Sequence, residues 1–111
     1  MPQKQSLPKK GIDFEKIIRQ GKSIKEDLLF LKKIENNLDR SRFAISVSKK
    51  VSKKATTRNK IKRRIKNLLS KKILKIKKGV DLLFVALPGI EKKTFKEIEF
   101  TIDKLFKKQK L

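Results

Sequence analysis

One short run of this sequence is almost continuously apolar, and it constrains the fold more than any other feature. Residues 80–87 read V-D-L-L-F-V-A-L, with Gly79 before them and Pro88-Gly89 after them. A run of this length without polar alternation is typical of a strand buried on both faces of a sheet. We therefore expect other strands beside this one and helices that cover the sheet.

The first half of the chain predicts a helix and two strands. Apolar residues at helical spacing in residues 13–21, which end in a glycine, predict a short helix. Residues 24–34 have an ambiguous pattern that favours a strand, and residues 43–48 alternate with period two, as a half-buried strand does. The turn-forming residues 36–39 lie between them, so we expect the two strands to form a hairpin-like pair.

The second half predicts two helices. Thr56 or Thr57 can cap a long helix that runs to about Lys75, and Thr94 and Glu97 have the spacing of a capping box at the start of the last helix. Each helix has one apolar stripe. The stripes comprise Ile61, Ile65, Leu68, Leu69, Ile73 and Ile76 in the long helix, and Phe95, Ile98, Ile102, Leu105 and Phe106 in the last.

These elements fit one small domain. The chain has 111 residues, a usual size for a single domain, and residues 1–10 predict a basic, mostly extended arm. The order is helix, strands, long helix, strand, helix. This order predicts a small α/β sandwich in which helices cover a central sheet.

The charge of the chain is strongly positive and unevenly distributed. Lysine and arginine number 33 against 11 acidic residues, which gives a net charge of +22. Between Arg40 and Val80 there are 17 basic residues and no acidic one. A free globule with this charge repels itself, so we expect a polyanionic partner, and above all a nucleic acid.

The long helix places part of this charge on the face opposite its apolar stripe. The polar residues on that face are Lys60, Arg63, Arg64, Asn67 and Lys71, and all of them except Asn67 are basic. Neighbouring rows lie ~5–6 Å apart, which is similar to the separation of phosphates along a strand. The helix N-terminus favours anions as well, and Lys49, Lys50, Lys53 and Lys54 precede it. Two alternatives are an ordinary solvated face, which would include acids, and a membrane-surface helix, which would favour Trp or Tyr.

Several functions are excluded or disfavoured by what the sequence lacks. It has no Cys and no His, which removes disulfides, thiolate chemistry and the commonest general base and metal ligand. Its acids avoid the basic segment, so we expect no carboxylate cluster for metal-dependent cleavage of RNA. The apolar run 82–90 is too short to span a membrane, and no secretory signal is visible. We therefore predict a cytoplasmic protein that is not catalytic alone and has no small-molecule substrate.

Two motifs resemble the protein subunit of bacterial ribonuclease P. Residues 46–50 read S-V-S-K-K and residues 58–63 read R-N-K-I-K-R. In that family S-V-S-K-K ends a strand and R-N-R-I-K-R begins a long helix. The likeness extends over nearly the whole chain, through L-P-K-K and D-F in residues 7–14 and G-V-D to P-G in residues 79–89.

The resemblance implies a fold, partners and a mechanism. The implied fold is an αβββαβα sandwich similar to that of a ribosomal protein. It would contain a left-handed β-α-β crossover, which is unusual because ~98% of β-α-β crossovers in proteins are right-handed. The protein would bind ribonuclease P RNA, one protein per RNA, and the 5′ leader of precursor tRNA. Cleavage would be performed by the RNA and its Mg²⁺ ions, so the protein itself would hold no metal.

The resemblance and the charge pattern together assign residues to two sites. The residues predicted to bind the catalytic RNA are Arg58, Asn59, Lys60, Lys62, Arg63, Arg64, Lys49, Lys50 and Lys71. The leader cleft would include Phe14, Ile18 and Phe43, although residue spacing leaves Phe14, Phe30 and Phe43 open and favours the core for each. Four residues depart from the family pattern: Lys60 replaces an arginine, Ile18 replaces an aromatic residue, and Ala44 and Ser52 each replace a glycine.

Two other functions share part of this pattern. A structural ribosomal protein or an architectural nucleic-acid-binding protein would have a similar size, charge and fold class. The R-N-K-I-K-R helix start and the compact order of elements argue against that reading. A nuclease that acts alone is disfavoured because His and a carboxylate cluster are missing.

Overall fold

The computed structural model describes residues 14–76 and 79–109 of the chain. In chain order its helices and strands are α1 (Phe14–Gln20), β1 (Lys22–Glu26), β2 (Leu29–Glu35), β3 (Arg42–Ser46), α2 (Ala55–Lys72), β4 (Val80–Ala86) and α3 (Phe95–Lys108). Short 3₁₀ turns follow α2 at Ile73–Lys75 and β4 at Ile90–Lys92. The expected αβββαβα order is confirmed. The predicted arm at residues 1–10 lies outside the described residues.

β4 is the central strand, as its composition predicts. The strand order is β1-β2-β4-β3, with β4 antiparallel to β2 and parallel to β3. Leu82 and Phe84 are fully buried on one face of the sheet, and Leu83 is buried on the other. β3, α2 and β4 therefore form a parallel β-α-β unit, and its handedness stays a prediction from the resemblance.

The predicted hairpin-like pairing of residues 24–34 with residues 43–48 is wrong. Residues 24–34 belong to two strands, β1 and β2, joined at Asp27-Leu28. Asp27 has a left-handed backbone with φ of 50°, which short polar residues tolerate better than most. β4 lies between β2 and β3, where both of its edges and both of its faces are buried. If β2 paired directly with β3, the apolar strand β4 could not lie between them in the centre of the sheet.

The main core fills the space between one face of the sheet and helices α2 and α3. Its helical residues are Ile61, Ile65, Leu68 and Leu69 from α2 and Ile98, Ile102 and Leu105 from α3. The Phe84 ring stacks on that of Phe106, with the centroids 6.3 Å apart and the planes 23° from parallel. Both predicted apolar stripes therefore face the sheet over most of their length.

The two predicted helix caps have different outcomes. The capping box of α3 is confirmed, since the Glu97 amide donates to Thr94 Oγ1 at 3.1 Å and the Thr94 amide donates to Glu97 Oε1 at 2.8 Å. The predicted cap of α2 at Thr56 or Thr57 is wrong. Its N-cap is Lys54, which provides no side-chain cap, and the Arg58 amide already donates to the Lys54 carbonyl. Both threonines therefore lie within the first helical turn.

Phe95 was expected in the core and is instead 43% exposed. It is the first residue of α3 and lies on the same side of the helix as Ile102, which is buried in the core. At that end of the helix the neighbouring element is the C-terminal half of α2, and a groove separates the two. Periodicity placed Phe95 on the correct side of α3, but no layer formed by the described residues covers it there.

Candidate nucleic-acid interface

The second face of the sheet is only partly covered, and this creates an open surface. Ile17 of α1 is fully buried against Ala44 of β3 and Leu83 of β4. Ile34 and Val85 pack at the margin of this small cluster. Within residues 14–76 and 79–109, the seven residues of α1 cover only part of this face.

The uncovered part forms a groove of about 440 Å³, which we call the sheet groove. Its walls come from α1, through Ile18, and from the start of α2, through Lys62. The strands, and Val47 just after β3, provide the remaining lining residues: Lys32, Ala44, Ile45, Ser46, Val47, Leu83 and Val85. The groove therefore combines an apolar floor with a lysine on two of its sides, an arrangement that can hold nucleotide bases near their phosphates.

Lys32 fixes the position of α1 at the edge of the groove. Its Nζ donates to the carbonyl oxygen of Ile18 at 3.0 Å, near the C-terminal end of α1, where a cation is favourable. The same Nζ lies 5.6 Å from the centroid of the Phe30 ring. Sequence reasoning did not single out Lys32, because the pattern of β2 alone does not show which face of the sheet stays open.

The structure places two of the three residues predicted to form a leader cleft, Ile18 and Phe43, at different sites. Ile18 lines the sheet groove and is 54% exposed. Phe43 is only 5% exposed and lies in the main core, on the opposite face of β3. Ala44 occupies the groove side of that strand instead, because successive strand residues point to opposite faces. Phe14 begins α1, and its side chain lies outside the described part of the chain.

The predicted basic residues of α2 lie mainly on its outer surface. Lys60, Arg63, Asn67 and Lys71 are exposed, whereas Arg64 is half-buried. The opposite side of the helix is buried in the core. Lys62 differs from its neighbours because it lines the sheet groove, so α2 borders that groove and also presents a separate basic face.

Arg58 supports the loop that precedes α2. Its Nη1 donates to the carbonyl oxygens of Ser52 and Lys53, each at 3.0 Å. Buried Val51 anchors the same loop from inside. The exposed lysines of the loop are Lys49, Lys50, Lys53 and Lys54. Arg58 therefore stabilises the backbone of the loop at Ser52 and Lys53, a role that the sequence motif did not predict.

Acidic side chains cluster away from this surface. Glu26 accepts from Lys108 Nζ at 2.6 Å and lies 3.7 Å from Lys104 Nζ, and these contacts join β1 to α3. The Lys108 hydrogen bond is the main cause that lowers the pKa of Glu26 below its ordinary value. A backbone hydrogen bond from Thr94 likewise lowers the pKa of Glu97. These carboxylates therefore stabilise α3, and in the described part of the chain the ion pair of Lys72 with Asp103 reaches α2.

Residues 14–76 and 79–109 contain neither a metal-binding cluster nor a membrane-spanning helix. No group of three or more His, Cys, Asp or Glu side chains there could hold a metal ion. In the same ranges, no helix is both long enough and apolar enough to cross a membrane.

The sheet groove, with Lys32 and Lys62 at its sides, and the basic outer face of α2 are typical of an α/β protein that binds a polyanion. The sequence model of the family described as Ribonuclease P matches residues 1–110. The ribonuclease P protein component of Clostridioides difficile strain 630 is 43% identical over 101 residues, which are 90% of this chain and 88% of that one. That of Clostridium novyi strain NT is 41% identical over 102 residues, 90% and 89% of the two chains.

Solved structures agree with these sequence relatives. The ribonuclease P protein of Staphylococcus aureus superposes with a TM-score of 0.81 at 29% identity, over 91% of this chain and 92% of that one. That of Thermotoga maritima has a TM-score of 0.78 at 28% identity, over 86% and 90% of the two chains. This chain belongs to the family of the bacterial ribonuclease P protein component, the protein subunit of an RNA-processing endoribonuclease. The resemblance in its motifs is thereby confirmed.

Proposed function

We propose that this chain binds ribonuclease P RNA through α2 and the loop before it, and holds the 5′ leader of precursor tRNA in the sheet groove. The single observation that supports this assignment is the position of Lys62. It lies on the helix that bears the R-N-K-I-K-R motif and also lines the groove. One helix therefore borders both surfaces, so the leader would pass directly beside the catalytic RNA.

The contacts with the catalytic RNA are proposed to be mainly electrostatic. Lys60 and Arg63 are exposed on α2, and the loop lysines Lys49 and Lys50 stand beside its N-terminus. Backbone N–H groups of the first helical turn favour phosphate there. Lys60 acts as a point charge, because lysine lacks the planar fork with which arginine makes bidentate contacts.

The leader contacts are proposed to combine charge with apolar packing. Ala44, Leu83 and Val85 form a flat apolar floor, and Lys32 and Lys62 stand at its sides. Leader bases would lie on the floor with their phosphates near the two lysines. Ile18 contributes apolar contact but no stacking, so Phe14 would be the aromatic residue of α1 that acts in the cleft.

The protein is proposed to position RNA while the RNA partner performs the chemistry. Mg²⁺ bound by that RNA supplies activation of the attacking water and stabilisation of the leaving oxygen. This chain provides cations that reduce repulsion between two RNAs, which lowers the concentration of Mg²⁺ that assembly requires. We further propose a cytoplasmic location and one protein per RNA.

The leader assignment can be tested by reconstitution with ribonuclease P RNA at low millimolar Mg²⁺. Substrates would be precursor tRNAs with a long leader and with a leader of one nucleotide. The double variant Lys32→Ala/Lys62→Ala should raise KM about tenfold for the long leader and much less for the short one, because two charge-assisted contacts are lost. The matched control is Lys96→Ala/Lys107→Ala, which removes two exposed lysines from α3.

Two outcomes would contradict the assignment. An equal loss with both substrates would show that the groove does not bind the leader. Unchanged RNA activity with and without the wild-type protein would contradict the function as a whole.

A further inference from the structure

A second groove lies between the C-terminal half of α2 and the start of α3, and we call it the helix groove. Its volume is about 280 Å³. It is lined by Asn67, Leu68, Lys71, Lys72, Lys75, Phe95 and Glu99. The main core separates it from the sheet groove, because α2 and α3 pack on the opposite face of the sheet.

Phe95 gives this groove an exposed aromatic surface. Its side chain is 43% exposed and lies beside Leu68, which is buried in the core. An aromatic ring in this setting can accept a nucleotide base, and stacking of this kind contributes ~1–3 kcal/mol per base. Phe95 is the aromatic residue among those that line the groove.

The charges around the ring fit a nucleotide. Lys71 and Lys75 are exposed, and neither forms an ion pair or a side-chain hydrogen bond with another residue in the described ranges. Lys72 is already paired with Asp103. Glu99 also lines the groove, and its carboxylate can accept hydrogen bonds from the N–H groups on the edge of a base.

We propose that the helix groove binds one unpaired nucleotide of the catalytic RNA, with its base on Phe95 and its flanking phosphates on Lys71 and Lys75. This inference rests on the proposed function, because it assigns the nucleotide to the RNA that α2 binds. Lys71 belongs both to the basic face of α2 and to the groove. From Lys60 to Lys71 the helix rises ~16 Å, so a bound RNA strand would extend along α2 into the groove.

The carboxylate of Glu99 makes the site selective. It repels phosphate, so the phosphates must remain at the lysine side of the groove. A base that offers N–H donors on its edge, as guanine does, is favoured over one that offers acceptors, because a carboxylate can only accept.

The first test measures the affinity of the protein for ribonuclease P RNA. Phe95→Ala should weaken binding roughly tenfold, the loss expected for one stacked base, whereas Phe95→Trp should retain it. The matched control is Phe100→Ala, since Phe100 is also on α3 and 62% exposed but lies outside the groove, with Lys104 Nζ 4.6 Å from its ring centroid. Thermal melting of each variant separates lost binding from lost folding.

The second test is chemical probing of the same RNA at nucleotide resolution. Wild-type protein and Phe100→Ala should protect one unpaired nucleotide that becomes reactive with Phe95→Ala, while the other protections remain. If Phe95→Ala matches Phe100→Ala in affinity and in probing, the helix groove is not a nucleotide site and the proposed function is unaffected. If wild-type protein protects no part of the RNA, the proposed function and this inference are both overturned.

Discussion

A buried ion pair holds the start of β4 against β3 and the preceding loop. Arg42 donates to Asp81 from Nε and Nη2, each at 2.8 Å, and Asn36 Nδ2 donates to the same carboxylate at 2.8 Å. Gly79 lies next to this cluster, where a Cβ atom would overlap the carbonyl oxygen of Leu38. The close approach of the loop to β4 therefore requires glycine at this position.

At the residue scale, we predict that Asp81→Ala lowers the free energy of unfolding by about 3 kcal/mol, because it removes the buried carboxylate that accepts two hydrogen bonds from Arg42. The Asp81 side chain is 7% exposed. Asp103→Ala is the control, since that side chain is 54% exposed in its pair with Lys72 and should cost less than about 1 kcal/mol. Urea unfolding measures both, and similar losses would contradict the importance given to the buried pair.

At the element scale, α3 depends on two carboxylates with lowered pKa values. Glu97 closes the N-terminal capping box, and Glu26 binds Lys104 and Lys108 near the other end. The Glu26 contacts join α3 to β1, and the Glu97 contacts satisfy backbone groups in the first turn of α3. The first turn of α2 contains no acidic residue, and the start of this helix is supported by the contacts of Arg58 with the preceding loop.

We predict that α3 loses stability in acid. A carboxylate whose pKa is lower in the folded state stabilises the protein fully above the ordinary value of 4.5, and this contribution disappears as the pH falls through the folded-state pKa. Thermal melting between pH 6 and pH 3 should therefore show a decline below about pH 4.5 that is smaller in Glu26→Gln/Glu97→Gln. Glu15→Gln, at an exposed residue of α1, should follow the wild type. Identical profiles for all three proteins would exclude this explanation.

At the scale of the whole molecule, the fold separates its charges. The acids that pair with lysine contact α3 or the β1–β2 hairpin, whereas the segment from Arg40 to Val80, which contains α2, has none. In the described part of the chain, the sheet groove opens on one face of the sheet and the helix groove opens between α2 and α3, and α2 borders both. RNA bound to α2 could therefore contact both grooves.

We predict a steep dependence of RNA binding on salt. If ~6–8 phosphates are neutralised, affinity should fall ~10³-fold or more between 50 and 200 mM salt. Lys60→Ala should reduce the log–log slope by about 1, whereas Lys96→Ala on α3 should leave it unchanged. Filter binding across a salt series measures the slope, and a value near zero would contradict binding through the basic surface.

Much of the fold could be predicted from local patterns, and the exceptions share one cause. The alternation of β3 showed that Phe43 and Ala44 face opposite ways, but it could not show which of them faces the core. The helical period placed Phe95 on the correct side of α3, but it could not show where the covering layer ends. The pairing of β2 with β4, rather than with β3, likewise depends on contacts between distant segments.

The sequence alone determined the three helices, the apolar central strand, the acid-free basic segment and the motifs that indicate the family, but not the division of residues 24–34 into two strands. Each of these depends on neighbouring residues, whose spacing determines the faces of one helix or strand. The tertiary structure decided which face of the sheet remains open, which residues line the two grooves and which side chain supports the loop before α2. Those outcomes depend on how separate elements pack together, because burial is shared between segments and no single segment specifies its partner.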